Sequence, residues 1–539
     1  MSEAVSPHES VQLRSPKFEF TLAVVLFVVL TTLMTSVKVI KISDQRGDTA
    51  QFFQTAENIA SRGVPVSGVF ENVYWYVFQS HLLMMPADEI ARNPLSPPSV
   101  KERNMFTFHA HLILYPMAAL TWILPTDVVF FLLHSLTFAG TLLVSYFILR
   151  RSDLSVPAAL LFCLLIMTHP AWSLGFWGQP YPDRLFVLAG LIFMYLASRE
   201  GVSRAQLLIT AVIAAAINER AGTILGVFLL LYTFLYWKKV PAPDRLLKIG
   251  MGAVLLAYGF LFSRVLVNEY YATFLPMSVG AFMANVRFPG FVQNGELFLL
   301  INSVLLVIAF FEWRAALIAM VCMLPNLLGN IGGAEKVNFV THYHSYYFPV
   351  LIWAALSGYV AAYRMASGHR LMPALYATGG GLVLFLGCID PGTAPRITIS
   401  PLYLNQHFLR EFAKETKDYV SAGGLQVHGL AEAARQAVPE GSVVSTGESL
   451  MPFLYRNRTV RFLPVDIDHA DYAVLSILSN ADGKITYGGV LSFLGPEEKA
   501  KVNSVILKRM RKDGYDFERP TLLVPIGVAI LHRTQPRSP

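Results

Sequence analysis

The sequence is short of charge and of cysteine: Asp, Glu, Lys and Arg make up 15% of its 539 residues, and cysteines number 3. Soluble domains average about 25% charged residues, so the shortage argues against a soluble globular class. Cys163, Cys322 and Cys388 fall within or at the end of apolar segments and have no metal-type spacing, which leaves neither a disulfide framework nor a zinc ribbon. They read as helix-packing residues. Walker A and G-x-G-x-x-G signatures are missing, so nucleotide binding has no support. No internal repeat or low-complexity tract occurs. The net charge of +7 is spread through short loops instead of forming one stripe, which speaks against a nucleic-acid partner.

What the chain has instead is hydrophobicity. Apolar residues make up 54% of it, and mean hydropathy is +0.48. They come in blocks of roughly 17 to 23 residues, the length an α-helix needs to cross about 30 Å of hydrocarbon. The first block, 18–40, follows Arg14 and Lys17 but is too long for a signal peptide and has no small-residue cleavage site before Lys41, so it is expected to stay as the first helix. Further crossings are predicted at 127–149, 156–174, 184–198, 205–217, 221–237, 246–267, 295–311, 315–331, 346–363 and 371–389. The apolar segment 109–125 is awkwardly short; treated as a crossing it would place Arg150 and Arg151 outside with Lys238, Lys239, Arg245 and Lys248. That violates the positive-inside preference, so 109–125 is expected to be re-entrant or to lie on the surface.

The predicted fold class is therefore a polytopic α-helical membrane protein with about 11 transmembrane helices over 1–389, in which 41–125 forms the first outer loop, followed by an extracytoplasmic α/β domain over 390–539. Pro391, Gly392 and Pro395 mark the break. Beyond it the pattern predicts helices at 402–420, 430–437 and 496–512, with strands at 442–446, 459–463, 472–477 and 521–531.

With this topology the polar residues that interrupt apolar sequence face outward together. The set is Asp44 and Asp48 after the first helix, His109 and His111, then Gln179, Asp183 and Arg184, then Asn218, Glu219 and Arg220, and finally Arg287, Lys336, His342, Tyr343 and His344. Ionisable groups at membrane depth are costly unless paired or wet, so the set is a site hypothesis. Each member also has a plainer reading. Asp48 can cap a helix over 49–60, His109 and His111 can bond to backbone at the interface, Glu219 and Arg220 can neutralise each other in a turn, and His342 and His344 can belong to an aromatic belt. As metal ligands the two histidines lack a third partner at a recognisable spacing; a divalent metal is possible but unsupported, and no cofactor is predicted.

In the functional reading an acceptor hydroxyl attacks an anomeric carbon and a carboxylate takes its proton, while cations at headgroup depth meet a departing lipid phosphate. Asp48 is the base, with Asp44 and Glu219 as further catalytic carboxylates. Arg184, Arg220, Arg287 and Lys336 are phosphate partners, and His109, His111, Asp183, His342 and His344 complete the substrate-binding set.

Short motifs add a resemblance. Gly47-Asp48 followed by Phe52-Phe53, Ala56 and Gly63 is similar to the Asp-then-aromatic opening of the first outer loop in the GT-C superfamily of polyprenyl-phosphate-sugar-dependent glycosyltransferases. More closely, the chain resembles a bacterial GT-C-like family of unassigned function. It shares an Asp-x-x-x-Phe-x-Gln signature (Asp48, Phe52, Gln54), a His-rich segment over 109–116, a charged turn at Glu219-Arg220, a Tyr343-to-Pro349 stretch and a Val438-Pro439 opening in the tail. The resemblance implies inverting transfer from an undecaprenyl-phosphate-type sugar donor to a lipid or surface-glycan acceptor. It also implies membrane lipids as neighbours and a site on the periplasmic face of a bacterial inner membrane. A transporter or flippase for a lipid-linked or small polar substrate is the alternative, and a scaffold whose outer domain binds a partner is a third.

Overall fold

Apolar stretches long enough to hide a helix from water set the first half of the architecture. The computed structural model of the chain describes residues 16–40, 47–69, 103–107, 109–263, 291–329, 335–337, 339–368, 371–387, 389–390, 398–399, 417, 433–447, 451–456, 459–463, 467–481, 484–488, 496–523 and 528–534. The chain runs α1 (Pro16–Ile40), α2 (Gly47–Arg62), a strand pair β1 (Val66–Ser67) and β2 (Arg103–Asn104), and the short α3 (Leu114–Leu120). There follow α4 (Thr126–Arg151), α5 (Val156–Thr168), α6 (Pro170–Trp177), α7 (Phe186–Ser198), α8 (Arg204–Ala215), α9 (Glu219–Leu235), α10 (Ala242–Leu261), α11 (Phe291–Ala309), α12 (Trp313–Leu328), α13 (Phe348–Gly368) and α14 (Met372–Gly387).

Among the described residues four helical stretches are long and apolar enough to cross a membrane: Lys17–Val39, Thr126–Arg151, Phe291–Leu328 and Phe348–Gly368. The pair Val156–Thr168 and Pro170–Trp177 makes a fifth if it is one bent span. Large apolar side chains stand exposed along these and neighbouring helices, among them Phe20 and Leu26 on α1, Ile209 and Val212 on α8, and Val254 and Phe260 on α10. Such a belt is stable in lipid and not in water. The chain is a helical membrane protein with a small C-terminal mixed sheet.

Contacts at the helix ends orient the bundle. Glu19, in the first turn of α1, binds Arg150 Nε at 2.5 Å in the last turn of α4, so these two helices are antiparallel. At the same end Tyr236 donates to Glu312 Oε1 at 3.0 Å, and Ser155 meets Tyr376 at 2.9 Å. The stretch Phe291–Leu328 turns back on itself at Phe310–Glu312. Phe298 near its start lies 5.2 Å ring to ring from Tyr347, and Asn326 near its end donates to Tyr343 O, while Glu312 sits at the far end beside Tyr236. Helices α9 and α10 approach backbone to backbone through Gly222, Gly226, Gly252 and Gly259; a methyl group at Gly259 would overlap Thr223.

The single helix expected over 156–174 is two helices, bent by 57°. Pro170 has no amide hydrogen to continue the ladder, and His169 turns extended to cap the new helix, its Nδ1 accepting from Ala171 N at 3.1 Å. Segment 109–125 holds only the seven-residue α3, too short to cross.

The C-terminal part carries β3 (Ile389–Asp390), β4 (Thr398–Ile399), β5 (Val443–Thr446), α15 (Met451–Leu454), β6 (Thr459–Phe462), β7 (Tyr472–Ala481), β8 (Lys484–Gly488), α16 (Pro496–Lys512), β9 (Thr521–Leu523) and β10 (Val528–His532). Strand order is β6-β5-β7-β10-β9 with β8 also on β7; β5 runs parallel to β6 and β7, and the other pairs are antiparallel. The strand expected over 521–531 is two paired strands, β8 was not foreseen, and most of the helix expected over 402–420 lies outside the described residues. Side-chain alternation splits the core. Ala473, Leu475, Ala529 and Leu531 pack with Ile506 and Met510 of α16, whereas Val444, Val460, Val474, Val528 and Ile530 share a core with Phe53, Phe130 and Phe131 of α2 and α4.

Candidate functional site

Helix α2 begins at Gly47, so Asp48 stands inside its first turn, where unpaired amides favour a carboxylate. The helix that Asp48 was expected to cap from 49 thus starts two residues earlier, at Gly47, and Asp48 is a first-turn residue, not the cap. Asp48 is partly exposed and accepts a 2.6 Å hydrogen bond on Oδ2 from the Tyr181 hydroxyl. One residue on, Thr49 Oγ1 donates to Gln179 Oε1 at 2.9 Å. Both partners come from the loop between α6 and α7. This loop is braced by Arg184, which donates to Gln179 O at 2.8 Å and also to Val340 O. Gly178 is what admits that brace, since a methyl group there would collide with the guanidinium and with Val340 O. Lys38, buried at the end of α1, fixes the same loop by donating to Gly178 O at 2.6 Å.

Below this edge lies a buried set. Asn218 caps α9, its Oδ1 accepting from Arg220 N, while its Nδ2 donates to Asp183 Oδ1; both bonds are 2.8 Å. Tyr346 donates to the same Asp183 oxygen, and His111 Nε2 lies 3.9 Å from the other. Glu219, the first residue of α9 and fully buried, meets His109 Nδ1 at 2.9 Å and accepts from Ala110 N at 2.9 Å. His111 is held through Nδ1 on Ile217 O at 2.8 Å. Thus the 109–111 segment is stitched to the start of α9. Arg220 lies 6.0 and 5.7 Å from the ring centroids of Tyr343 and Tyr346 and stays partly exposed.

Aromatic contacts join edge and floor. The Tyr181 ring is 4.5 Å from that of His342, and Phe52 stands edge-on to both Tyr181 at 5.6 Å and His111 at 5.4 Å. Burial alone would raise the Asp183 carboxyl, but His111, His342, His109 and the Tyr346 hydroxyl together hold it below the ordinary carboxylate range. Desolvation pushes His111 and His342 below the usual imidazole range, and for His342 the Arg220 charge adds to this against the pull of Asp183. This buried set thus gathers a carboxyl at Asp183 that is favoured in its ionised form and two imidazoles, His111 and His342, whose protonation is opposed by burial.

Of the residues expected from sequence, Asp48, His109, His111, Asp183, Glu219, Arg220 and His342 come together at one end of the bundle. Arg184 is buried next to them, but its bonds run to backbone carbonyls, which makes it a brace of the loop. Lys336 is buried against Phe291, with its ammonium on Glu335 Oε1 at 2.9 Å and on Gly329 O. His344 stacks on Phe339 at 4.1 Å and pairs with the Tyr347 hydroxyl at 3.1 Å. Asp44 and Arg287 lie outside the described residues. Tyr181 and Lys38 were missed; a tyrosine between Pro180 and Pro182 in an otherwise polar loop was the available signal. Among the described residues no three His, Cys, Asp or Glu side chains are arranged to hold a metal ion. No protein-family model matches the chain, and no curated protein matches it either.

Proposed function

We propose that the protein is an inverting membrane glycosyltransferase of the GT-C type, with about eleven crossings, that moves a sugar from a polyprenyl-phosphate donor to a lipid or surface-glycan acceptor. In this reading it sits in a bacterial inner membrane with the site and the C-terminal domain on the periplasmic side. The observation that carries the reading is the partly exposed Asp48 carboxylate, oriented by Tyr181 and linked through the Tyr181–His342 contact to the field of the partly exposed Arg220. In the reaction the acceptor oxygen bonds to the anomeric carbon, its proton passes to Asp48, and the bond from that carbon to phosphate oxygen breaks. Arg220 meets the charge left on the lipid phosphate.

Position supports an enzyme over a transporter. Asp48 and Glu219 sit in the first turns of their helices, not midway along a span, whereas transport sites lie near the bilayer midplane. The test is to supply purified protein with labelled polyprenyl-phosphate sugars and a lipid acceptor extract. Transfer of label that disappears in Asp48→Asn is the expected result; label that crosses a vesicle membrane untransferred would replace the proposal with transport.

A further inference from the structure

Helix α2 has two working faces. Asp48 and Phe52, one turn apart, face Tyr181 and His111, while Phe53, Gln54 and Glu57 are turned to the C-terminal part and to α4. Gln54 is buried, and both ends of its amide are engaged. Its Nε2 donates to Tyr455 O at 2.9 Å, and its Oε1 accepts from Ser67 Oγ at 2.9 Å, Gly68 N at 2.6 Å and Val69 N at 3.2 Å. One side chain therefore joins three segments: the helix with the carboxylate, the chain at 67–69, and the turn after α15. A turn further along, Glu57 Oε1 takes Arg456 Nε at 3.0 Å and the Thr126 hydroxyl at 2.9 Å. The Phe53 ring fills the space between these polar ties, 5.1 Å from both Tyr455 and Phe130.

We propose that Gln54 is a positioning residue: with the Glu57–Arg456 pair it fastens the C-terminal sheet to α2 and so fixes where Asp48 points. The proposal rests on Asp48 being the base. A group filling that space for packing alone would be apolar, because burying an amide is costly unless it is fully bonded. A saturated amide adds direction, setting both the rotation and the height of the helix. A displacement of about 1 Å at a reacting group costs on the order of 100-fold in rate, so a tie on the far face of α2 bears on the near one.

Gln54→Glu isolates the tie. It keeps an acceptor for Ser67, Gly68 and Val69 and sets an anion against Tyr455 O. Arg456→Glu cuts the second tie, and Glu57→Arg combined with Arg456→Glu restores a pair of opposite sign. The full chain in lipid nanodiscs is followed by amide hydrogen exchange over 50–60 and 452–456, and by transfer from labelled polyprenyl-phosphate sugars. Gln54→Glu and Arg456→Glu should each speed exchange in α2 and lower kcat by about 10- to 100-fold with KM for the donor little changed, and the charge swap should recover both. Unchanged α2 exchange in both single variants, a raised KM with kcat intact, or a folded charge-swap protein that recovers neither would overturn the proposal. Should the wild type transfer no sugar, the exchange measurements still decide the fastening, and only the glycosyltransferase reading falls.

Discussion

Tyr181 donates its hydroxyl hydrogen to Asp48 Oδ2 across 2.6 Å, joining the loop after α6 to the first turn of α2. The bond directs one carboxylate oxygen and leaves the group partly exposed. Asp48→Asn keeps the shape but cannot accept a proton, so turnover should fall by about 100- to 10,000-fold, with unfolding in detergent unaltered. Tyr181→Phe keeps the base and loses its guide, and a smaller loss of about tenfold is expected. Steady-state transfer assays separate the two; full activity in Asp48→Asn would end its role as the base.

Arg220 is held over two tyrosine rings by aromatic contacts while its backbone amide is fixed by the Asn218 cap. Hydrogen bonds to a charged group contribute about 1.5–3 kcal/mol. Arg220→Ala should therefore weaken donor binding by about 10- to 100-fold while acceptor affinity holds. Equilibrium binding of a fluorescent polyprenyl-phosphate sugar measures the first, and acceptor saturation the second. Equal losses on both sides would make Arg220 a structural residue.

How much of this was legible in the sequence follows from the range of each interaction. α1, α4 and α13 stood out because apolar runs at helix length are a local signal, and α16 because its amphipathic pattern is unbroken. The break at His169-Pro170 was written in the sequence as a proline that has no amide hydrogen to continue the ladder, and averaging hydropathy over the block hid it. The gathering of Asp48, His109, Asp183 and Glu219 at one end was legible as a shared depth. Their partners were not. His109 meets Glu219 across 110 positions and Gln54 meets Tyr455 across 401, so only the packed fold selects them. Lys336 and His344, which their position in the sequence put in the site, bond instead to near neighbours in the chain, Glu335 and Tyr347.

Glu219 supplies acceptors to His109 Nδ1 and to the Ala110 amide. Glu219→Ala removes both, leaving two buried polar groups without that acceptor at about 1–3 kcal/mol each. Lowered thermal stability together with loss of protection at 109–111 is expected, whereas Glu219→Gln, which retains a carbonyl oxygen, should recover about half of the stability. Hydrogen exchange of the 109–113 peptide in nanodiscs reads the outcome; a fully protected segment in Glu219→Ala would show that it is held elsewhere.

Asp183 sets the acid limit of this end of the molecule. Its folded-state pKa lies below the ordinary value, through the His111, His342 and His109 imidazoles and the Tyr346 hydroxyl acting against burial. A carboxyl depressed on folding contributes stability that is complete above the unfolded value, about 3.9, and is lost as pH falls through the lower folded value. Tyr346→Phe and Asn218→Ala each remove a donor to Asp183 Oδ1. Each should raise the folded pKa and shrink this contribution at neutral pH. Thermal unfolding recorded from pH 3 to 7 should then show a shallower acid-side slope for both variants than for wild type. The slope should be shallowest in Asp183→Asn, which has no proton to gain there. Parallel curves for all four proteins would mean that Asp183 titrates alike in the folded and unfolded chains, and that its three imidazoles do not govern its charge.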